Sequence, residues 1–125
     1  MIEIFDNPNR MKKRLIVKKG IENIALKTED IALIFTENKL VFVIDGHTGK
    51  KYISDKNLSV LETELDNNIF FRANRKYIIS INFLKAFRPF EKVKLLVDLN
   101  IPDNGHQIII SQETAKSFKR WINEV

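Results

Sequence analysis

The residues with the clearest capacity for chemistry lie between Phe70 and Ile81, in the segment FFRANRKYIISI. Arg72, Arg75 and Lys76 place three cations within five residues, between two aromatic residues and an apolar run. Unpaired cations are costly to bury, whereas the apolar residues on either side require cover. We therefore expect a loop that presents cations and is held by a strand rooted in the core. Such a loop is suited to bind an anion, and the phosphates and base edges of a nucleic acid are the leading candidate.

Two further segments place polar side chains where a predicted strand ends. Asn38 and Lys39 lie in a predicted hairpin turn, and Ser111, Gln112 and Lys116 lie at the start of the predicted last helix. Arginine can bridge O6 and N7 of guanine, and asparagine or glutamine can bridge N6 and N7 of adenine. Lysine side chains and the N-terminus of a helix can hold phosphates. Together with the central segment, these two make three candidate contact sites for a nucleic acid.

Each of these residues also has a structural interpretation. Arg72 can instead form an ion pair with a carboxylate of the protein, and Asn74 can be an ordinary turn residue. Lys39 and Gln112 can be exposed polar residues without a binding role. The sequence by itself leaves these alternatives open.

The sequence is poor in arrangements that support catalysis. His47 and His106 each lie in a glycine-containing turn, where a histidine is more often solvated than catalytic. The motifs of zinc proteases, serine hydrolases, P-loops and dinucleotide-binding folds are missing from the sequence. Asp45 and His47 could ligate a metal, but no third ligand is evident. We predict no enzymatic activity, no catalytic residue, no metal, no cofactor and no small-molecule substrate.

The charge and composition set wider limits. The net charge is +5 over 125 residues, which are enough for one domain. Cations dominate residues 12–27 and 72–94, which favours a polyanionic partner or, equally, solvated strand faces. No apolar run approaches the roughly 18 residues of a membrane helix, and the first residues do not resemble a secretory signal. The sequence has no cysteine, which excludes disulfides and is consistent with the cytoplasm.

The pattern of apolar residues and turns predicts a mainly β fold with about eight to ten short strands and two short helices. Residues 1–11 are interpreted as a linker or a frayed end, and residues 12–125 as the domain. Gly20 is expected to end the first strand. A hairpin is expected over residues 31–44 with a turn of four polar residues, and its apolar run 31–35 indicates a buried strand. Residues 82–88 are expected to be a connection with Phe83, Leu84 and Phe87 facing inward. Leu58, Leu61 and Leu65 indicate a helix with Asn57 as its N-cap, and Ser111 is the expected N-cap of a last helix to Asn123.

The central segment and the late ISQETAKSFKRWI together resemble the LytTR DNA-binding domain, the effector module of LytR/AlgR-type bacterial response regulators. The family pattern reads Phe-x-Arg-x-His-Arg-Ser-Tyr-Ile-Val-Asn in the middle, and it ends with Ile/Val-Ser-Arg and a helix. The segments EDIALIFTENKLVFVI and NLSVLETEL resemble the family's earlier hairpin and helix. The resemblance spans roughly residues 14–123. The residues that match the middle and end motifs are Phe70, Arg72, Arg75, Tyr77, Ile78, Ser111, Ala115, Lys116, Phe118 and Lys119.

The resemblance implies an elongated stack of small antiparallel sheets whose loops enter successive major grooves of duplex DNA. It also implies repeated sites and a possible homodimer on DNA, in a bacterial two-component-type system. Most members carry a receiver domain, which does not fit in this chain, so a fragment or a stand-alone module is expected. This chain has Asn74, Lys76, Ser80 and Gln112 where the family usually has histidine, serine, asparagine and arginine. Base preference at those positions stays open.

We therefore predict a sequence-specific, double-stranded DNA-binding domain of a transcription regulator, with no membrane partner. The predicted contacts are Asn38, Lys39, Arg72, Asn74, Arg75, Lys76, Ser111, Gln112 and Lys116. One alternative is a protein-interaction module that uses exposed strand edges. Another is a single-stranded nucleic-acid binder on a small β-barrel, which would need Phe70 and Phe71 at the surface for base stacking.

Overall fold

The computed structural model describes residues 11–102 and 105–124. Ten strands and two α-helices account for most of this range. The strands are β1 (Arg14–Lys19), β2 (Glu22–Lys27), β3 (Ile31–Glu37), β4 (Leu40–Asp45), β5 (Lys51–Ser54), β6 (Phe70–Arg72), β7 (Tyr77–Ser80), β8 (Leu84–Phe90), β9 (Lys94–Leu99) and β10 (Ile108–Ile110). The helices are α1 (Leu58–Glu64) and α2 (Gln112–Glu124). The linker predicted for residues 1–11 lies, apart from Met11, outside the described residues.

The strands form two antiparallel sheets. Seven strands join in the order β2-β1-β5-β4-β3-β7-β6, and three join in the order β10-β9-β8. The predicted class, mainly β with antiparallel sheets and two helices, is confirmed. Most of the strands belong to the one larger sheet, because β1 and β2 extend the sheet through a pairing of β1 with β5.

Two buried clusters lie on opposite sides of β3. Ile34 belongs to the cluster beneath α1, which also contains Leu61 and Ile78. Leu33 and Phe35 belong to the cluster that α2 and the small sheet cover. Since successive residues of a strand point to opposite faces, the unbroken apolar run of β3 is the pattern of a strand buried on both faces.

The β3–β4 hairpin has a tighter turn than the four polar residues predicted. Glu37 pairs with Leu40, so only Asn38 and Lys39 form the connection. Both have positive φ, 53° and 68°, which is the geometry of a two-residue turn matched to the twist of the strands. The prediction was wrong because Thr36 and Glu37 are polar residues that nevertheless extend the strand beyond the core.

The connection predicted for residues 82–88 is also wrong. A short 3-10 turn, Ile81–Phe83, leads into β8, which runs through Pro89 to Phe90. Proline is tolerated because β8 is an edge strand, whose outward backbone positions need no partner. Phe87, expected to face inward, is 38% exposed, although the edge of its ring contacts Phe118 at a centroid distance of 5.1 Å.

Candidate nucleic-acid interface

The loop between β6 and β7 is a compact turn built around Asn74. The Asn74 side-chain oxygen accepts hydrogen bonds from the backbone N–H groups of Lys76 (2.8 Å) and Tyr77 (3.0 Å). The backbone N–H of Ala73 donates to the carbonyl of Tyr77 at 2.9 Å, which closes the loop. Ala73 is buried, whereas Arg75 and Lys76 are exposed. The sequence therefore folds so that a small residue enters the core and the two following cations face the solvent.

Arg72, at the end of β6, directs its guanidinium back across this loop. Its Nε donates to the carbonyl of Asn74 at 2.7 Å, and its Nη2 donates to the carbonyl of Arg75 at 2.9 Å. Its Nη1 forms an ion pair with Glu62 of α1 at 3.0 Å. The structural interpretation of Arg72 as an internal ion pair is confirmed, while contact of Arg72 with a nucleic acid stays a prediction.

Two hydrogen bonds bring the three candidate contact sites together. The backbone N–H of Thr36 donates to the carbonyl of Lys76 at 3.1 Å, which places the β3–β4 turn beside the loop. The side-chain Nδ2 of Asn74 donates to the carbonyl of Ile109 at 2.8 Å, two residues before Ser111. The basic loop therefore adjoins both the hairpin and the strand that leads into α2, although 35 residues separate Asn74 from Ile109.

The start of α2 is capped as the sequence predicted. The backbone N–H of Thr114 donates to the Ser111 hydroxyl at 3.4 Å, as expected of an N-cap residue. Gln112 and Lys116 are exposed on the first turns of the helix. Phe118 and Trp121 anchor the opposite side in the core, and the indole N–H of Trp121 donates to the carbonyl of Asn67 at 3.0 Å. The helix start is thereby held in a fixed orientation.

The exposed cations of this region have no carboxylate partner among the residues that the structure describes. This holds for Lys39, Arg75, Lys76 and Lys116, none of which takes part in an ion pair within 4.0 Å. The Lys76 ammonium lies 5.4 Å from the centre of the Tyr77 ring, which restrains the side chain without neutralising it. Uncompensated exposed cations on rigid supports can receive phosphates.

Lys51 is a cation that the sequence interpretation did not include. Its ammonium lies 4.7 Å from the centre of the Phe42 ring, and it lines one groove with Lys76, Glu37 and His106. The pairing of β4 with β5, and of β3 with β7, brings Lys51 toward Lys76 across the sheet. No local sequence signal distinguishes Lys51 from its neighbour Lys50. The strand pairing alone places Lys51, and not Lys50, in this groove.

The histidines and Asp45 have structural partners. His47 Nε2 lies 3.1 Å from a carboxylate oxygen of Asp30, and Asp45 accepts hydrogen bonds from two backbone N–H groups of its own turn. His106 is partly buried rather than solvated, with its ring 4.5 Å from the Phe35 ring and Nδ1 3.2 Å from the Tyr77 hydroxyl. Among residues 11–102 and 105–124, no group of three metal-ligating side chains converges.

The aromatic pair at the start of the basic segment is not available for stacking. Phe70 is only 7% exposed, and the Phe71 ring stacks on Trp121 at 5.1 Å. A single-stranded binder of the predicted kind would need these rings at the surface.

The described residues also contain no helix with the length and apolar character to span a membrane.

Comparison with known proteins identifies the family. The family profile described as "LytTr DNA-binding domain" matches residues 22–123. "Sensory transduction protein LytT" of Bacillus subtilis (strain 168) is 23% identical over 128 residues, which cover 98% of this chain and 49% of that protein. The chain thus spans about half the length of this relative.

A solved structure of a LytTr DNA-binding domain from Bacillus cereus shares the fold. It superposes with a TM-score of 0.76 and 22% identity, covering 89% of this chain and 97% of the other. The family match spans the basic loop, the hairpin and α2, the elements that carry the three candidate contact sites. The chain belongs to the LytTR family of DNA-binding domains.

Proposed function

We propose that this domain binds duplex DNA sequence-specifically, with the basic loop and the start of α2 in the major groove. The observation that carries the proposal is the junction of three polar segments through the Thr36–Lys76 and Asn74–Ile109 hydrogen bonds. Base recognition requires several side chains to reach base edges at once. Candidate contact residues that are held together by hydrogen bonds therefore favour sequence-specific recognition over non-specific electrostatic binding.

The residues divide by chemistry into base contacts and backbone contacts. Arg75 is exposed, unpaired by carboxylates within the described residues, and suited to bridge guanine O6 and N7. Asn38 and Gln112 are exposed amides suited to adenine. Backbone phosphates are assigned to four lysines and one helix cap, namely Lys39, Lys51, Lys76, Lys116 and Ser111.

The first experiment selects bound sites from random duplexes and measures affinity for the enriched sequence by fluorescence anisotropy. Arg75→Ala should cost about 1–3 kcal/mol on this sequence and relax the preference at one base pair. Lys116→Ala should weaken all sequences alike and flatten the salt dependence by about one unit in slope. These two results distinguish a residue that contacts a base from a residue that neutralises a phosphate.

A matched control is Lys27→Ala. Lys27 is exposed and precedes Ile31 at the far end of β3, so roughly 20 Å of strand separates it from the hairpin turn. This variant should retain both affinity and salt slope. Failure of the wild-type domain to retain any duplex at low salt would refute the proposal, and an unaffected Arg75→Ala would remove Arg75 from the contacts.

The arrangement of copies on DNA is part of the proposal. The family resemblance supports repeated sites and a homodimer formed on DNA. Mobility-shift titrations on duplexes with one or two copies of the selected sequence would test this. Two copies should give a second, slower complex, and identical patterns on the two duplexes would contradict paired occupancy.

We also propose that the domain is the effector part of a transcription regulator of the two-component type. The support is that the chain matches about half of a relative whose name places it in sensory transduction. A reporter gene carrying the selected site should change its expression when the domain is produced, and the Arg75→Ala domain should not cause that change. Equal reporter output with both domains would contradict this role.

Recognition of a protein partner through strand edges is less favoured. The β8 edge carries Pro89 and the charged residues Lys85 and Arg88, and such residues oppose the addition of another strand. The other edges are β2, with a charged residue at each end, and β6 and β10, which have three residues each. An interaction that ignored salt and survived Arg75→Ala would nevertheless favour this alternative.

A further inference from the structure

We propose that Arg72 and Asn74 are positioning residues, which hold the basic loop and the start of α2 as one preformed reading surface. They act on base discrimination through Arg75 and Gln112 and do not themselves touch DNA. This inference rests on the proposed function, and it assigns to two residues of the basic segment a role different from the contacts that their types suggest.

Arg72 controls the backbone on both sides of Arg75. The carbonyl of Asn74 belongs to the peptide unit before Arg75, and the carbonyl of Arg75 belongs to the peptide unit after it. Both accept hydrogen bonds from the same guanidinium, at 2.7 and 2.9 Å. Fixing both peptide units fixes the φ and ψ of Arg75, and hence the direction in which its side chain leaves the loop.

The third nitrogen of the Arg72 guanidinium is restrained as well. Nη1 is held by Glu62 at 3.0 Å, and the Arg72 side chain is only 24% exposed. A guanidinium has five N–H donors, and the three directions used here point toward the protein. A two-pronged contact of Nε and Nη2 with a base or a phosphate would require Arg72 to leave the two carbonyls that present Arg75.

Asn74 sets the spacing between the loop and α2. Its oxygen accepts from two backbone N–H groups of the loop, and its Nδ2 donates to the carbonyl of Ile109. The amide oxygen and the amide nitrogen of Asn74, which recognition of adenine would use, each have partners within the protein. Because Ile109 leads through Ile110 into the Ser111 cap, this single side chain links the two segments that carry Arg75 and Gln112.

Preorganisation of this kind affects discrimination more than general attraction. A good two-pronged base contact discriminates by about 5- to 150-fold, and that advantage depends on the side chain meeting the base edge in the correct direction. Non-specific affinity for phosphates depends mainly on charge, so it changes little when the loop shifts. Loss of a positioning residue should therefore lower the affinity for the cognate duplex while leaving that for unrelated duplexes unchanged.

Two variants separate positioning from contact. Arg72→Lys keeps the charge but cannot span two carbonyls and Glu62, because an ammonium lacks the planar fork of donors. Asn74→Ser keeps a short acceptor for the turn but is too short to reach Ile109. Each is measured by anisotropy on the selected duplex, on its single-base-pair substitutions and on an unrelated duplex, with Arg75→Ala, Gln112→Ala and the Lys27→Ala control alongside.

The expected results are specific to each variant. Arg72→Lys should lose discrimination, by about 5-fold or more, at the same base pairs that Arg75→Ala makes insensitive, with an unchanged salt slope. Asn74→Ser should lose discrimination at the base pairs of both Arg75 and Gln112. In the Arg75→Ala background, Arg72→Lys should have no further effect on discrimination, since its influence passes through Arg75.

Three results would overturn the inference. Loss of discrimination at a base pair that neither Arg75→Ala nor Gln112→Ala affects would show direct contact. A salt slope reduced by about one in Asn74→Ser or Arg72→Lys would show a phosphate contact or a lost charge. Unchanged discrimination in both variants would show no role in positioning. Circular dichroism establishes that each variant is folded, and if Arg72→Lys is not, Asn74→Ser decides by the same criteria. A wild-type domain without base discrimination would instead refute the proposed function.

Discussion

Replacing Gly46 by alanine should destabilise the domain because of one aromatic ring. Gly46 lies in the turn after β4, and its backbone N–H donates to the carbonyl of Asp30 at 2.8 Å. A Cβ built on Gly46 would lie 2.1–2.5 Å from three carbons of the Phe83 ring, far inside van der Waals contact. The φ of Gly46 is not in the left-handed region, so the backbone itself accepts alanine. The conflict is one of space alone.

The size of the effect follows from what the Phe83 ring can do. The Phe83 side chain is 8% exposed and belongs to the cluster beneath α2, so a displaced ring loses part of its burial. Overpacking a core costs about 1–3 kcal/mol. Alanine in place of glycine also lowers the entropy of the unfolded chain, which raises the free energy of unfolding by about 0.4–1 kcal/mol. We expect a net loss of about 1–2 kcal/mol in the free energy of unfolding.

The assay is urea denaturation followed by circular dichroism in two backgrounds. In wild type, Gly46→Ala should cost the amount above. In Phe83→Ala the ring is gone, so the same substitution should be neutral or stabilising by up to about 1 kcal/mol. Gly20→Ala is the matched control, because nothing lies within 4 Å of its Cβ and its φ of +62° makes the cost one of the backbone only.

Gly20→Ala should therefore cost the same in both backgrounds. The reasoning about Gly46 would be refuted if Gly46→Ala had equal effects with and without the Phe83 ring. It would equally be refuted if the wild-type domain tolerated the added methyl group without loss of stability.

Three further predictions concern the supports of the fold. Phe118→Ala should cost about 3–5 kcal/mol in urea denaturation, because this fully buried ring joins α2 to β6 and β8. Asn57→Ala should cost about 1 kcal/mol by the same measurement, since the Asn57 side chain caps α1 by accepting from the N–H of Val60 at 2.9 Å. The hydrogen bond with Glu64 raises the pKa of Lys56 above its usual 10.5, so this pair stabilises the fold below that pH and the contribution is lost as pH rises through the folded-state pKa. The free energy of unfolding of wild type should exceed that of Glu64→Gln by at most about 1 kcal/mol at neutral pH, because the Lys56 side chain is 42% exposed. This difference in stability should vanish in strong alkali.

Each of these expectations has a clear contrary result. A Phe118→Ala domain of wild-type stability would show that α2 does not depend on that ring. An Asn57→Asp domain should keep the cap, so equal losses for Asn57→Asp and Asn57→Ala would contradict the capping argument. A stability difference between wild type and Glu64→Gln that persisted at alkaline pH would show that it does not come from the charge of Lys56.

Local signals predicted the parts of the fold whose causes are local. The helix caps Asn57 and Ser111, the Gly20 turn and the buried run of β3 follow from residue types within a few positions of each other. Strand β8 was not predicted, because Pro89 and its neighbouring cations are unfavourable inside a sheet. They are acceptable only on an edge, and whether a strand lies on an edge is decided by the pairing of distant segments.

Residue types and their order were enough to predict cations and amides at three strand ends, because unpaired charges stay near solvent and turn residues lie between apolar runs. The tertiary structure alone decided what those side chains do. Arg72 meets Glu62 and Asn74 meets Ile109 through contacts that span 10 and 35 residues, and the β4–β5 pairing selects Lys51. Such partners are set by strand order and register, which depend on the packing of the whole domain and not on any local pattern.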